Sequence, residues 1–375
     1  MSLAIAGMGW VTPLGNGVDP VWDRLLHGDE ASATAISEQF GKRFYRAFRV
    51  PESALSGLAH PRLRRASVIS RFAAAAGLEA LQAAGVKIDS QNAQRIALIF
   101  AISNGGVIYT KRFYRDVIET GAQSASPLLF PETVFNAPAS HLAAILGVTG
   151  TTYTLVGDGA VGLSAIKMSE DVMTDESLDY CLIVGTEEVD WLLCDAYCRW
   201  RLLRAAPPIE PFNTQKRGMI LSEGAGAILV ARDGPMMIDH AHPGGNYAKR
   251  EGAQDILAQM LRDLGQTEID FVISSANGTF IDQAEQGALE RVIPDVTVYT
   301  PKPALGESVG ASGLWQVIVG AQGLRRGELP PVLHADSNIS LRLSSSRMSV
   351  TGARRAIVLS SGLNQQVAGL RLAIE

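Results

Sequence analysis

Residues 157–166 have the form of a turn that presents a catalytic nucleophile, yet the segment carries no nucleophile. The apolar run 152–156 before it predicts a buried strand, and residues 162–174 after it predict a helix. The start of a helix offers free N–H groups and a positive dipole end, which lower the pKa of a thiol and hold anions. The residue expected to react there is Gly159, which has no side chain. Asp158 beside it fits a structural use of the turn, as the N-cap of the helix.

The same turn also carries a dinucleotide-binding pattern. Residues 157–162 read Gly-x-Gly-x-x-Gly, and the next strand ends in Glu187 and Glu188, near the place of a ribose-binding acid. Against this interpretation, the pattern lies in mid-chain, Asp158 would set a carboxylate beside the pyrophosphate, and no hydride-transfer site follows. A dinucleotide-binding oxidoreductase stays open as the weakest alternative.

Composition limits the function classes. The 375 residues are 47% hydrophobic, enough for a large core. A net charge of −5 argues against a nucleic-acid partner, which favours basic surfaces. No apolar run reaches the roughly 18–20 residues that span a bilayer, and the start lacks the basic region of a secretory signal, so we expect a cytoplasmic protein without a membrane partner. Three cysteines show no spacing typical of a metal site.

Short apolar runs alternate with helical patterns along the whole chain, which predicts an α/β fold with helix-covered sheets. The predicted strands are 3–7, 96–101, 153–156, 180–185, 226–231, 271–275, 356–360 and 369–374. The predicted helices are 65–84, 162–174, 253–264, 283–292 and 311–325. A loop near residue 234 divides the chain into halves 1–233 and 234–375, each expected to have its own sheet.

Several segments carry a resemblance in their order and spacing. They are Asn136-Ala-Pro-Ala-Ser-His141, Leu221-Ser-Glu-Gly-Ala-Gly226, Lys302-Pro-Ala-Leu-Gly-Glu307 and Ser361-Gly-Leu-Asn364. With these motifs the chain resembles the β-ketoacyl-acyl-carrier-protein synthases, the condensing enzymes of the thiolase fold, over nearly its whole length. The resemblance implies a thiolase-like layered α-β-α-β-α fold with two pseudo-duplicated halves.

By the same resemblance, the catalytic positions are degenerate. The nucleophilic Cys position falls on Gly159, the two His positions fall on Asn277 and Glu307, the family's Lys is kept as Lys302, and the gating Phe position falls on Leu363. Without a thiolate there is no acyl-enzyme, and an anionic Glu307 would repel a developing enolate. We therefore expect no catalytic residue for condensation in this chain.

A ketosynthase homologue with an emptied site resembles the chain length factor of type II polyketide synthases, and the short chain is similar to the aryl polyene type. The resemblance implies a heterodimer with an active ketosynthase. It also implies no cofactor of its own, only the phosphopantetheine of a partner acyl carrier protein. Val107, Thr110 and Tyr114 align with the helix that lines the shared tunnel, and their spacing puts them on one helical face. Leu363 is the fourth expected tunnel-lining residue.

A second hypothesis is a repurposed thiolase-fold enzyme in which Glu307 and Asn277 act on a thioester by general base catalysis. It predicts activity from the isolated chain that Glu307→Gln removes. The oxidoreductase hypothesis predicts nicotinamide binding. The chain-length-factor hypothesis predicts neither activity of the isolated chain nor nicotinamide binding. It requires a second polypeptide that keeps Cys, His and His at the positions that correspond to Gly159, Asn277 and Glu307.

Overall fold

The computed structural model describes residues 2–37, 43–58, 60–64, 66–213, 215, 217–265, 267–335, 339–343 and 346–374. Its helices are α1 (Val18–Leu26), α2 (Val68–Ala83), α3 (Val107–Thr120), α4 (Ala137–Leu146), α5 (Val161–Val172), α6 (Trp191–Arg199), α7 (Ala253–Leu264), α8 (Phe280–Val292), α9 (Lys302–Leu305) and α10 (Ser312–Arg326).

The strands alternate with these helices along the chain. They are β1 (Leu3–Thr12), β2 (Gly15–Asn16), β3 (Ala33–Ser37), β4 (Phe44–Phe48), β5 (Ile96–Ile102), β6 (Thr152–Val156), β7 (Tyr180–Glu187), β8 (Leu221–Ser222), β9 (Gly224–Ala231), β10 (Met236–Ala241), β11 (Gly245–Asn246), β12 (Phe271–Ile273), β13 (Thr297–Tyr299), β14 (Glu328–Leu329), β15 (Met348–Ser349), β16 (Arg355–Ser361) and β17 (Gln366–Ile374).

The main sheet contains strands from both ends of the chain. Its order is β13-β12-β16-β17-β10-β1-β9-β7-β5-β6, with β2 beside β1 and β11 beside β17. Strands β6, β5 and β7 are parallel, as are β13, β12 and β16, whereas the strands between these groups are antiparallel. The sequence predicts a separate sheet for each half. In the structure β10 pairs with β1 along one edge and with β17 along the other, so the strands of both halves join in one main sheet.

The helices form three layers around these strands. Helix α2 packs on β1, β7 and β9, while α7 packs on β17 and α8 packs on α7. Between them, α5 and α10 contact each other and strands of both halves. Every residue from Ser312 to Leu324 of α10 is buried, so α10 forms the centre of the core. This arrangement is the predicted thiolase-like layering of helices and strands.

The predicted elements are present, with shifts at their ends that are largest for β1, which ends at Thr12 and not at Gly7. Helix α7 begins and ends as predicted, and α10 is shifted by one residue. Helix α2 begins at Val68 and not at Arg65, which lies outside the described residues. Strand β6 has the predicted bounds but is not buried: Val156 is 53% exposed because β6 is the last strand of the sheet and lacks a neighbour on one side. Within the described ranges, no helix is both long and apolar enough to cross a bilayer.

Candidate functional site

The turn between β6 and α5 is closed by the loop that follows β16. Gly159 is buried, and its carbonyl oxygen accepts a hydrogen bond of 2.6 Å from Ser360 Oγ. A Cβ at this position would lie 3.2 Å from the carbonyl oxygen of Ser361 and 3.4 Å from the Cα of Gly362. A nucleophilic side chain at residue 159 would therefore need the loop to move.

Asp158 joins the turn to the same loop. Its Oδ2 accepts the backbone N–H of Asn364 at 2.7 Å, and its Oδ1 accepts the N–H of Ala160 at 3.4 Å. Burial raises the pKa of the Asp158 carboxyl, and the two backbone donors oppose that rise. The N-cap of α5 is Ala160, so the prediction of Asp158 as the N-cap is wrong, because its carboxylate points to the loop after β16.

The remaining degenerate positions meet in a buried polar cluster. Glu307 Oε2 accepts hydrogen bonds from Lys302 Nζ at 2.5 Å and from Asn277 Nδ2 at 2.7 Å. The Lys302 and Glu307 side chains are each only 2% exposed. Burial of an ion pair is tolerated when both charges are paired and hydrogen-bonded, which is the case here. The ammonium group of Lys302 thus compensates the charge of Glu307.

Tight backbone turns bring these three residues together. Asn277 follows β12, and the Asp282 carboxylate at the start of α8 accepts the N–H groups of Asn277 and Gly278 at 2.8 and 2.9 Å. Gly278 has φ 87°, a left-handed conformation that favours glycine. Burial is the main cause that raises the pKa of Asp282 to about 6. Glu307 follows another left-handed glycine, Gly306, directly after α9.

The arrangement engages the side chain of Asn277 and one oxygen of Glu307. The amide donor of Asn277 is used by Glu307, and its Oδ1 accepts from the N–H and the hydroxyl of Thr279, at 3.2 and 2.7 Å. A general base needs to reach the proton that it removes, with a gap of about 3 Å. Lys302 and Asn277 both bond to the Oε2 atom of Glu307, whereas its Oε1 atom is buried without a hydrogen-bond partner among the described residues.

A cavity of about 900 Å³ lies beside the turn. Leu363, one of the predicted tunnel residues, lines it, together with Asp158, Tyr197, Trp200 and Arg250. Among the described residues, the lining does not include the cluster of positions 277, 302 and 307, nor positions 107, 110 and 114. The structure therefore places Leu363 at the cavity, and the other predicted tunnel residues elsewhere.

Val107, Thr110 and Tyr114 lie along α3, on the outside of the molecule. Val107 is half-buried and packs against the cluster that contains Val189 and Leu193. Thr110 is half-buried, and Tyr114 is 60% exposed. The helical face that the spacing predicts is present, and it forms part of a surface and not of an internal core.

This surface is large and apolar. Helix α3 contacts the segment 122–133, and Phe113 packs on Phe130 with ring centroids 5.7 Å apart. The same segment contacts α4, which in turn packs on β6. We use the name α3–β6 surface for its exposed apolar side chains: Tyr114, Ile118, Leu128, Phe130, Val134, Phe135, Tyr153 and Val156. Exposed apolar groups of this number indicate an interface, because isolated soluble domains rarely present them together.

Sequence reasoning missed two supports of the site. Asp282 accepts the backbone N–H of Asn277 and so fixes that turn. An acidic residue five positions after Asn277 is the sequence signal that could have indicated this contact. Glu285 accepts hydrogen bonds from Ser274 at 2.5 Å and from Ser361 at 2.7 Å, and so joins β12 to the loop over Gly159.

In the described ranges, no group of three or more His, Cys, Asp or Glu side chains is arranged to hold a metal ion.

Comparisons with known proteins agree with this geometry. Residues 2–234 match the family described as the β-ketoacyl synthase N-terminal domain, and residues 234–336 match its C-terminal domain. The chain is 24% identical over 359 residues to nodulation protein E of Rhizobium leguminosarum bv. trifolii, covering 88% of each protein. It is 23% identical over 371 residues to 3-oxoacyl-[acyl-carrier-protein] synthase 2 of Vibrio cholerae serotype O1, covering 89% of each.

Among solved structures, the fold is similar to that of the ketosynthase ApeO in complex with its chain length factor ApeC from Xenorhabdus doucetiae. The TM-score is 0.84 at 18% identity, and the match covers 100% of this chain and 98% of that one. The two family matches together span most of the sequence, in the order that the motifs predict. The chain therefore belongs to the β-ketoacyl synthase family.

Proposed function

We propose that this chain is a catalytically silent ketosynthase homologue that acts as a chain length factor. It pairs with an active ketosynthase and shapes the tunnel that receives a polyketide or polyene chain carried by an acyl carrier protein. The observation that carries the proposal is Gly159, a buried residue without a side chain at the nucleophile turn. Covalent acyl transfer needs a nucleophile, so a chain of this family without one is best suited to a supporting role.

The buried cluster supports the same conclusion. In a condensing enzyme the two His positions must face the reacting carbonyl. Here Glu307 accepts hydrogen bonds from Asn277 and from Lys302, and none of the three is among the described residues that line the cavity. This geometry gives no support to a general base at Glu307. Nor does it support a pyrophosphate site at residues 157–162, because the loop after β16 occupies the space over that turn.

The α3–β6 surface supports a protein partner, which we propose is the active ketosynthase. Strand β6 is a sheet edge with unpaired backbone groups on one side, and the apolar side chains around it are exposed. An edge strand with an apolar surround is an aggregation hazard unless a partner covers it. A second chain of the same family offers the matching edge, and one shared sheet would then run through both subunits.

Val107, Thr110 and Tyr114 lie on α3 within or beside this surface, so a partner there would enclose them. We propose that they and Leu363 limit the length of the growing chain by their bulk, since each added unit must fit or clash.

The only prosthetic group in the reaction would be the phosphopantetheine of the acyl carrier protein. We also propose a cytoplasmic location, an aryl polyene type of product, and the division of the chain at residue 234.

Co-expression tests the proposal. The chain is produced with the ketosynthase encoded beside it, and the complex is analysed by size exclusion with mass measurement and by an elongation assay with the acyl carrier protein. We expect a one-to-one complex that elongates, and an isolated chain that does not. A homodimer with thioester activity, removed by Glu307→Gln but kept by Glu170→Gln, would contradict the proposal and favour the repurposed enzyme.

A further inference from the structure

Two neighbouring carboxylates at the end of β7 hold the segment that leads into α3. Glu187 Oε2 accepts the backbone N–H groups of Ser103 and Asn104, each at 3.2 Å. Glu188 Oε1 accepts the N–H of Ile108, in the first turn of α3, at 3.3 Å. The first N–H groups of a helix have no partner within the helix and need an acceptor from outside. These two side chains supply it from another element.

Helix α3 has no side-chain cap of its own. Its N-cap is Gly106, which has no side chain that could accept an N–H. From Val107 to Thr120, all of them described residues, none is buried. The ion pair between Lys111 Nζ and Asp190, 2.7 Å long, is a third contact with the segment after β7. Acidic residues 187, 188 and 190 therefore hold the start of α3, in addition to the apolar contacts of Val107 and Phe113.

The two carboxylates are enclosed. Glu187 is 2% and Glu188 is 1% exposed. Glu187 Oε1 and Glu188 Oε2 are buried without a hydrogen-bond partner in the parts of the chain that the structure describes. Gly310 lies beside them, and a Cβ there would lie 2.3 Å from the carbonyl oxygen of Thr186 and 3.2 Å from Glu187 Oε2. The titratable groups that act on the pair from the surrounding elements are Arg49, Tyr109, Asp190, Tyr197 and Glu223.

This environment favours the neutral carboxyl. Burial is the main cause that raises the pKa of both Glu187 and Glu188 to about 8, and backbone donors oppose the rise. At a pH below about 8, each of the two carboxyls carries a proton on its unpartnered oxygen, and its other oxygen accepts the backbone N–H groups. Since the folded pKa is raised, the stabilising contribution is complete below the ordinary pKa of 4.5 and is lost as the pH rises through about 8.

We propose that Glu187 and Glu188 are positioning residues that hold the start of α3 while protonated and release it when they ionise. Ionisation would leave two buried negative charges, each with one unpaired oxygen, and water would enter by opening the turn at residues 103–108. The consequence for partner binding rests on the proposed function, because α3 carries the residues that we assign to the shared tunnel. The anchoring itself is a property of this chain alone.

Hydrogen exchange of the full chain tests the anchor without the partner. Amide protection at residues 103–108 is measured at about pH 6.5 and about pH 9 and corrected for the intrinsic exchange rate. We expect protection to fall by about tenfold or more in the native chain, because local opening replaces the anchored state. In Glu187→Gln/Glu188→Gln, whose side chains stay neutral and keep an acceptor oxygen, we expect the fall to be absent.

Glu79→Gln is the matched control. Glu79 is half-buried with a raised pKa, and it accepts the backbone N–H groups of Trp10 and Val18, which lie outside α3. We expect the pH-dependent loss at residues 103–108 to persist in this variant. The proposal would be overturned if the double Gln variant lost as much amide protection at residues 103–108 as the native chain. It would also be overturned if the native chain lost no protection between the two pH values. The second outcome is decisive even if the variant fails to fold.

Binding to the ketosynthase partner is then measured at the same two pH values. We expect weaker binding at the higher pH for the native chain and less change for the double Gln variant. If the exchange result holds and no partner binds at either pH, the anchor stands and the proposed function fails. If the partner binds and exchange shows no change with pH, the anchor fails and the proposed function stands.

Discussion

Asp158 and Asn364 are far apart in the chain, and a hydrogen bond of 2.7 Å from the Asn364 N–H to the Asp158 carboxylate joins them. This bond fastens the loop after β16 over the turn at Gly159. The carboxylate occupies the space beside Gly362, where a Cβ would collide with it. The nucleophile turn is thus filled by a structural contact between two loops.

The contact predicts a compensating pair of substitutions. Gly362→Ala should lower the free energy of unfolding by about 1–3 kcal/mol, as is typical of overpacking at a closed site. Asp158→Ala in the same chain should recover much of that loss, because it removes the atoms that collide. Urea unfolding of the single and double variants measures the coupling. Additive effects in the double variant would show that the two residues do not share this space.

Replacing Gly159 by Cys should not restore condensation. The new Cβ would lie 3.2 Å from the Ser361 carbonyl oxygen, and the positions of the two His residues would still hold Asn277 and Glu307. We expect no acylation of the new thiol by an acyl carrier protein thioester above background, measured by intact mass. Gly159→Ala separates the cost of the added volume from the chemistry of the thiol. Stable acylation followed by elongation would contradict our view of the cluster.

Breaking the buried ion pair between Lys302 and Glu307 should lower the free energy of unfolding. Lys302→Met leaves the Glu307 carboxylate buried without its cation, which typically costs about 3–5 kcal/mol of stability. Lys302→Met/Glu307→Leu removes both charges, so we expect most of the stability to return. Chemical denaturation of both variants checks this. A double variant as unstable as the single one would mean that the pair has a role beyond neutralising Glu307.

Bulk at Val107 should change the product of the complex. Val107 is half-buried at the first turn of α3, on the same helical face as Tyr114. Val107→Phe should shorten the product by at least one extension unit, because the larger ring leaves less room for the chain. Val107→Ala is the control for a simple loss of packing. Product lengths are read by mass spectrometry after hydrolysis, and unchanged lengths in the Phe variant would remove Val107 from the tunnel.

A charge on the edge strand should weaken the heterodimer. Tyr153 is 40% exposed on β6, and Tyr153→Asp would place a carboxylate in the proposed interface. We expect the dissociation constant to rise by about tenfold or more, which corresponds to about 1.4 kcal/mol. Leu78→Asp is a matched control, because Leu78 is 41% exposed on α2, outside the α3–β6 surface. Equal effects of the two variants would mean that β6 is not in the interface.

The elements of the fold could be predicted from the sequence where apolar periodicity is strong. Helix α7 alternates its buried and exposed positions clearly, and its predicted bounds are correct. Strand β6 shows the limit of the method, because an apolar strand at the edge of a sheet has the same sequence pattern as a buried strand in its centre. The single sheet was also beyond prediction, since the pairing of β10 with both β1 and β17 depends on contacts distant in sequence.

The candidate site was predictable as a set of positions but not as a set of contacts. The motifs indicate Asn277, Lys302 and Glu307, and the structure brings all three together. That Glu307 pairs with Lys302 depends on turns at left-handed glycines, which a sequence pattern does not reveal. Glu187 likewise fits the ribose-binding acid of a dinucleotide site in the sequence, whereas in the structure it holds the segment that leads into α3.

The pairing of β1 has a consequence for how the chain is made. β1 pairs locally only with the two-residue β2 at its end and is synthesised well before its main partners β9 and β10, where Ala4 pairs with Ala231 and Leu3 with Ile238. Such non-local pairing slows folding, and the apolar strand must wait while most of the chain is synthesised. During that interval the nascent chain presents an unpaired strand, so its yield in cells should depend on chaperones and on the pace of translation.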